Sequence, residues 1–342
     1  MPSFTTSNWM TDFGRRPDLE ALNVNPPIGY IGDRLYPRTP SRFASGSISG
    51  MTLPTYAAAQ TSRTDGNAPT TTLITNNEVS YTCTEIISRY GKTAKQTMDT
   101  MDIYRCDEQG GAAAIRSMMY DLEKARLTAA VTPISGNYNK ITGQATDNIL
   151  DLVTNALEAI RLYHGVRVLV MGAAMLQKFG RCAALTQFYG GAPVERRDSL
   201  LDIRERIVSS IQSVFLLDEV LIADESILNN SSNPIFDANT IVAAVIPHEN
   251  EVTEWSYTLN PELGRTVVYQ PYEGLKPFQV ESFPDAQKRV NCYDAVTRSA
   301  VVELNPMAKR IIDCTNVSFA PATQVTISGG TVVTIDGGTV SA

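Results

Sequence analysis

At 342 residues the chain is longer than one hydrophobic core usually supports, so two domains, or one domain with long extensions, are expected. A formal net charge of −7 argues against a surface built for nucleic-acid phosphates, which needs clustered Lys and Arg, although an acidic protein can still enclose nucleic acid. Five scattered cysteines (Cys83, Cys106, Cys182, Cys292, Cys314) without a Cys-x-x-Cys give neither disulfide nor zinc arithmetic and fit a reducing cytoplasm. The N-terminus has no basic stretch leading into an apolar one, and no apolar run approaches a membrane span, so neither secretion by a standard signal nor membrane insertion is expected.

Residues 1–30 mix Trp9, Met10, Phe13 and Leu22 with charge and close on Pro26-Pro27, which disfavours helix just before it; this reads as an arm with at most a short helix. Asp33 to Pro37 reads as a short extended piece. From Ser41 to Asn77 the composition shifts to Ser, Thr, Gly and Ala, with Arg42, Arg63 and Asp65 as the only charges. A solvated linker carries more charge, and a self-supporting domain needs more Leu, Ile, Val and Phe. With a turn signal at Asp65-Gly66, the stretch reads as a long extended hairpin loop that gains order by lying on something else. Glu78 to Cys83 resumes strand-like alternation, followed by a charged, partly helical stretch through Lys95 and Met101.

Gly111 to Val131 is the organising element. Ile115, Met118, Leu122, Ala125 and Ala129 recur at three- and four-residue steps on one helical face. Arg116, Asp121, Glu123, Lys124 and Arg126 fall mostly elsewhere, with Glu123–Arg126 spaced to pair, and Pro133 ends the helix. Thr146 or Asp147 then caps a second amphipathic helix with Ile149, Leu150, Val153, Leu157 and Ile160 on its buried side. Val166 to Met171 is a strand, and Gly172 to Met175 opens a short helix. Asp198 caps a helix carrying Leu200, Ile203, Ile207 and Ile211. Strands are expected at about 213–222, 240–246, 251–258, 264–270 and 276–283, making 136–275 a mixed α/β domain with a sheet core; residues 287–304 alternate again, and 307–314 closes the domain. In the tail, Thr326-Ile-Ser-Gly-Gly-Thr-Val332 returns as Thr334-Ile-Asp-Gly-Gly-Thr-Val340: short β-prone units that serve either as a mobile appendage or as an edge strand given to a neighbour.

The same path carries several partial catalytic patterns. Gly91-Lys92-Thr93 ends like a phosphate-binding loop, but Ile86 stands where its first glycine belongs. Gly46 to Gly50 has the glycine spacing of a nucleophile elbow with Ile48 at the nucleophile position. Of two histidines, His164 ends a helix, and His248, with Glu249 and Glu251, reads first as a solvated turn and second as a cation site. Asp218, Glu219, Asp224 and Glu225 lack an evident catalytic partner. Arg196, Arg197, Arg204 and Arg206 are interleaved with acids, which marks a charge-laced exposed face. Nothing here supports an enzyme, and no cofactor or metal is expected.

The order of parts resembles the major capsid proteins of tailed bacteriophages, with the Hong Kong 97-like fold that encapsulin shells share. The segments that carry the resemblance run in sequence: an arm, a low-charge loop ending at Glu78-Val-Ser-Tyr-Thr-Cys83, then Asp102-Ile-Tyr-Arg-Cys-Asp107 leading into the long helix. Arg167 to Leu176, Glu219 to Asp224, Thr240 to Ile246 and Val268 to Gly274 continue it, over roughly residues 30–315. The resemblance implies an α+β chain with an N-terminal arm (1–40), an E-loop hairpin (41–80), a peripheral domain built on a long spine helix (81–135 and 276–315), an axial domain (136–275) and a β-prone tail (316–342). It implies hexamers and pentamers of an icosahedral shell around phage double-stranded DNA, formed in the bacterial host cytoplasm, with scaffold, portal and decoration proteins as further partners.

Copies would then meet through Arg42, Arg63 and Asp65 of the loop, Arg116, Glu123 and Arg126 on the exposed face of the spine helix, and Ile327, Val332, Ile335 and Val340 of the tail. Some relatives lock their shells with a Lys–Asn isopeptide bond from an E-loop lysine; no lysine precedes Lys92 here, so no such crosslink is expected. Two alternatives stand beside this reading. One is an encapsulin-type compartment with protein cargo. The other is a soluble α/β enzyme with its site at the ends of strands 166–171 and 240–246.

Overall fold

A computed structural model describes residues 16–22, 24–27, 29–51, 76–93, 103–163, 165–180, 182, 185, 200–253, 256–258, 262–271, 276–288, 290–317 and 319. In chain order its elements are α1 (Pro17–Glu20), α2 (Gly32–Leu35), β1 (Arg38–Ser41), β2 (Ser45–Met51), β3 (Asn76–Thr82), β4 (Thr84–Thr93), α3 (Ile103–Val131), β5 (Lys140–Thr142) and α4 (Ile149–Ala159). There follow β6 (Val166–Gly172), α5 (Ala173–Gly180), α6 (Leu200–Phe215), β7 (Glu219–Ala223), β8 (Thr240–Ile246), β9 (Gly264–Tyr269), β10 (Gln279–Asp285), β11 (Val290–Glu303) and β12 (Lys309–Asp313). They divide into two units, 1–130 with 249–305, and 131–248 with 306–342.

The first unit is organised on β11. This long strand pairs antiparallel with β10 over 290–296, with β4 over 290–299 and with β9 over 299–303, and β9 pairs in parallel with β1. Helix α3 covers one face: Ala114, Ile115, Met118 and Leu122 pack on Val280, Tyr293 and Ala295, with Leu19 of α1 closing the cluster. Each buried Ile, Leu, Met or Val among them contributes roughly 1.5–3 kcal/mol by removal from water. β2 and β3 pair antiparallel, Ser45 opposite Thr82 and Met51 opposite Asn76, as a separate two-stranded ribbon.

The helix begins at Ile103, well before the expected Gly111, and runs straight through Gly110-Gly111. Two glycines in a helix cost about 1 kcal/mol each against alanine. Their use here is close approach, because a Cβ on Gly110 would overlap the Tyr293 ring and one on Gly111 would lie 3.2 Å from Leu19. The buried stripe also differs from the expected one. Ala125 is exposed and Ala129 half-buried, while Glu123, Arg126, Leu127 and Ala130 are buried. The arc widens toward the C-terminal half because the segment at Ile31–Asp33 lies against it.

In the second unit the sheet order is β5-β12-β8-β6-β7, with β12 parallel to β5, β6 parallel to β7, and β8 antiparallel to both its neighbours. α4, α5 and α6 supply Val153, Leu157, Met175, Phe179 and Ile211 to a core against Leu169, Met171, Ile241, Ala243 and Val245. β6 and β8 are buried almost throughout, which is why they read as continuous apolar runs rather than alternating ones. Asn148, not Thr146 or Asp147, caps α4: its Oδ1 accepts from the Leu150 N–H at 3.0 Å, while Asp147 accepts from Gln144 N–H at 2.7 Å.

Several expected elements are corrected. The region 213–222 is helix through Phe215 and strand only from Glu219, because Ile207, Ile211 and Phe215 continue a helical stripe that Leu216 breaks at φ 51. The expected strand at 251–258 is 3-10 turns at Glu249–Glu251 and Ser256–Thr258, with Ser256 Oγ accepting from Thr253 N–H at 3.3 Å. Asp33 lies in the short helix α2 rather than in an extended piece. Residues 84–93 are strand β4, whose Glu85 and Arg89 sit opposite Arg298 and Asp294 as cross-strand ion pairs. Domain membership differs as well: β9, expected in the axial domain, pairs in the first unit's sheet, and β12, expected in the peripheral domain, pairs in the second's.

Candidate assembly surfaces

The β2/β3 ribbon is held by one face only. Ile48, Val79 and Tyr81 turn into a cluster with Cys83, Tyr257, Val267, Tyr269, Val302 and Leu304, while Ser45, Ser47, Ser49, Glu78 and Ser80 face solvent. Tyr81 Oη and Ser41 Oγ share a 2.6 Å hydrogen bond that ties the ribbon to the end of β1. Arg42 is exposed beside Phe43, which is 71% exposed, at the turn between β1 and β2. Arg63 and Asp65 lie outside the described residues, as do the Asp65-Gly66 turn, Asp198, His164 and the tail residues Ile327, Val332, Ile335 and Val340.

On α3, among the residues whose side chains are described, Gln109, Arg116, Ser117, Ala125 and Thr128 are exposed. Arg116 is therefore open to solvent as expected of a charged face. Glu123 and Arg126 are not: they are 2% and 3% exposed and are occupied within the chain. Glu123 accepts from the backbone N–H of Ile31 at 2.7 Å and of Gly32 at 2.9 Å. Arg126 pairs with Asp33 at 2.7 Å and donates to Thr266 Oγ1 at 3.0 Å, and that hydroxyl donates to the Tyr36 carbonyl at 2.9 Å. Arg38 grips Asp33 from the other side with two bonds, at 2.8 and 2.7 Å. Gly32 is glycine because a Cβ there would lie 2.6 Å from Arg126 Cδ. The expected Glu123–Arg126 pair on an open face is thus replaced by a buried clasp between α3 and the Ile31–Asp33 segment.

Burial raises the Glu123 pKa against the pull of the two N–H bonds. Burial also works to raise the Asp33 carboxyl, but the Arg126 charge and the Arg38 bonds outweigh it and hold Asp33 below its ordinary value.

The residues screened for chemistry have structural tasks. Lys92 is a buried strand residue donating to Gln109 Oε1 at 3.0 Å, and Gly46 to Gly50 lie in β2. Asp218, Asp224 and Glu225 accept from the backbone N–H groups of Arg167, Ser226 and Ala174 at 2.9, 2.8 and 2.5 Å. Arg204 and Arg206 are exposed on α6 beside Glu205. His248 is exposed, and no cluster of metal-ligating side chains occurs among the described residues. Cys83, Cys182, Cys292 and Cys314 are buried thiols, and burial pushes Cys83 up to about 11 and Cys314 up to about 12. Among the described residues no helix is long and apolar enough to cross a membrane.

Among the described residues of the second unit the exposed large apolar side chains are Tyr138, Leu162, Leu216 and Met307. They precede β5, β6, β7 and β12, four strands that run in one direction, so all four lie at the same end of the sheet. Nothing in the sequence marks them, since an isolated Leu in a loop carries no pattern.

No family model and no curated protein matches the chain. Among solved structures, a phage-related protein of Bordetella bronchiseptica RB50 superposes with a TM-score of 0.66 at 13% identity, over 91% of this chain and 100% of that one. The SrpI encapsulin of Synechococcus elongatus PCC 7942 and a structure from Microbacterium phage Oxtober96 each give 0.49, at 11% and 12% identity; they cover 90% and 86% of this chain and 92% and 94% of theirs. The chain has the fold of the Bordetella protein along that protein's whole length.

Proposed function

We propose that this chain is the major capsid subunit of a tailed phage or prophage, a structural and non-enzymatic protein. It assembles in the host cytoplasm into hexamers and pentamers of an icosahedral shell that encloses double-stranded DNA, and it resides in the virion. The observation that carries the reading is the fold shared with a phage-related protein over that protein's full length. The β2/β3 ribbon supports it: a two-stranded ribbon is not independently stable, and this one rests on a single face of its unit. The ribbon extends the buried surface of a neighbouring copy and lies across the side of α3 that carries Arg116, Ser117 and Thr128. Arg42 and the tail residues Ile327, Val332, Ile335 and Val340 add contacts between copies. Scaffold, portal and decoration proteins are the further partners of such a shell.

Electron microscopy of the full chain expressed in bacteria tests the proposal. Closed shells of uniform diameter are expected, and cargo analysis separates a DNA container from an encapsulin-type protein compartment. Monomers or small rings alone, with or without a scaffold, overturn it.

A further inference from the structure

The ribbon could leave its unit at many angles, because one apolar face fixes its distance from the body but not its direction. Besides the Tyr81–Ser41 bond at its β1 end, the ribbon is held at its opposite end. Asn305 is buried, and its Nδ2 donates to the Met51 carbonyl at 3.0 Å and to the Glu262 carbonyl at 2.8 Å. From the other strand, Asn77 Nδ2 donates to the Leu304 carbonyl at 2.8 Å. Gly50, opposite Asn77 in the register, leaves Leu304 room, since a Cβ there would lie 2.9 Å from Leu304 Cβ. Both strands are therefore gripped at the end of the ribbon away from β1, at Met51 and at Asn77.

What Asn305 grips on the body side is itself fixed by buried charge. Glu262 and Arg265 are essentially inaccessible and form a two-pronged pair, Nε to Oε2 at 2.6 Å and Nη2 to Oε1 at 2.8 Å. Arg265 Nη1 donates to the Thr253 carbonyl at 3.0 Å, and Ser256 Oγ donates to Glu262 Oε1 at 2.7 Å. The guanidinium lies 5.5 Å from the Tyr257 ring, and Tyr257 packs in the same cluster as Ile48 of β2. A buried ion pair is a poor source of net stability compared with apolar packing, but it admits few alternative geometries. Here it ties Thr253 and Ser256 to Glu262 and Arg265 and so places the carbonyl that Asn305 reads.

We propose that Asn305, seated on the Glu262–Arg265 pair, is the positioning residue that aims the β2/β3 ribbon at a second copy of the chain. This rests on the shell reading above. An amide is required because two carbonyl oxygens must each receive a proton: Asp has none to give at neutral pH, and Leu has none at all.

Asn305→Ala is compared with wild type by amide hydrogen exchange and by electron microscopy of particles. Amides of β2 and β3 should exchange at least tenfold faster while those of β6 and β8 stay as in wild type, and particle yield or uniformity of diameter should fall. Val153→Ala, which lowers the melting temperature through the other unit, should leave ribbon exchange and particle diameter unchanged. Wild-type particles with Asn305→Ala, unchanged ribbon exchange, or the same particle defect from Val153→Ala overturns the proposal. If Asn305→Ala does not fold, the half-buried Asn77→Ala reports on the same grip from the ribbon side. If the wild-type chain forms no particles, the shell reading fails, and exchange alone decides whether the clamp exists.

Discussion

The Glu123 carboxylate sits between two backbone N–H groups and beside a guanidinium, with 2% of its surface exposed. Glu123→Arg would place a second cation against Arg126 and leave the Ile31 and Gly32 N–H groups without their acceptor, a change expected to cost about 3–5 kcal/mol in urea unfolding. Glu123→Gln keeps an oxygen for the same N–H groups and should cost about 1–2 kcal/mol. An Arg variant within about 1 kcal/mol of wild type would mean the side chain is not enclosed. The neighbouring acid gives a pH signature. Asp33 is held below its ordinary value, so its contribution is fully present above the unfolded pKa and is lost as pH falls through the lowered folded value. Glu123 has the opposite sign, its raised pKa making protonation easier in the folded state. The stability difference between wild type and Asp33→Asn should therefore be steady near neutrality and shrink only below about pH 4. A difference that persists undiminished to pH 2 would rule out the ion pair as its source.

At the level of elements, α3 is governed by how closely it can approach the sheet. Gly110 has helical neighbours on both sides and the Tyr293 ring where its Cβ would be. Gly110→Ala should destabilise the wild-type protein by about 1–3 kcal/mol through overpacking. In a Tyr293→Ala background the same change should become stabilising by up to about 1 kcal/mol, because only helix propensity remains. The reversal of sign, read in a double-mutant cycle of urea midpoints, distinguishes close approach from an incidental glycine. Long, periodic elements such as α4, β6 and β8 were legible from spacing alone, since one face or both are uniformly apolar. β4 was not, because its outward Glu85 and Arg89 gain their sense only from Arg298 and Asp294, some two hundred residues away. The helix start at Ile103 was hidden by Gly110-Gly111, which reads as a breaker until Tyr293 is seen above it.

For the whole molecule, the proposed shell must hold by buried area and strand pairing, because the first lysine of the chain is Lys92 and no hairpin lysine exists to form an isopeptide bond. Purified particles boiled in SDS should run as a single band at the 37.3 kDa of the chain. A ladder of covalent multimers would overturn that expectation.

The sequence by itself determined what depends on local composition and spacing: a mixed α/β region with a sheet core, a low-charge stretch unable to build its own core, a long helix before a helix–strand region, and the absence of a hairpin lysine. Only the tertiary structure decided which charges are surface and which are structural. Glu123 and Arg126 have the i, i+3 spacing of an open helical pair, and nothing near them in sequence announces that Ile31–Asp33 will cover them. Likewise Asn305, Glu262 and Arg265 carry no motif; their roles exist because Met51 and Thr253 are brought to them by the fold. Desolvation is a property of the assembled neighbourhood, so the same side chain is a solvated charge in one sequence reading and a buried clamp once distant segments close over it.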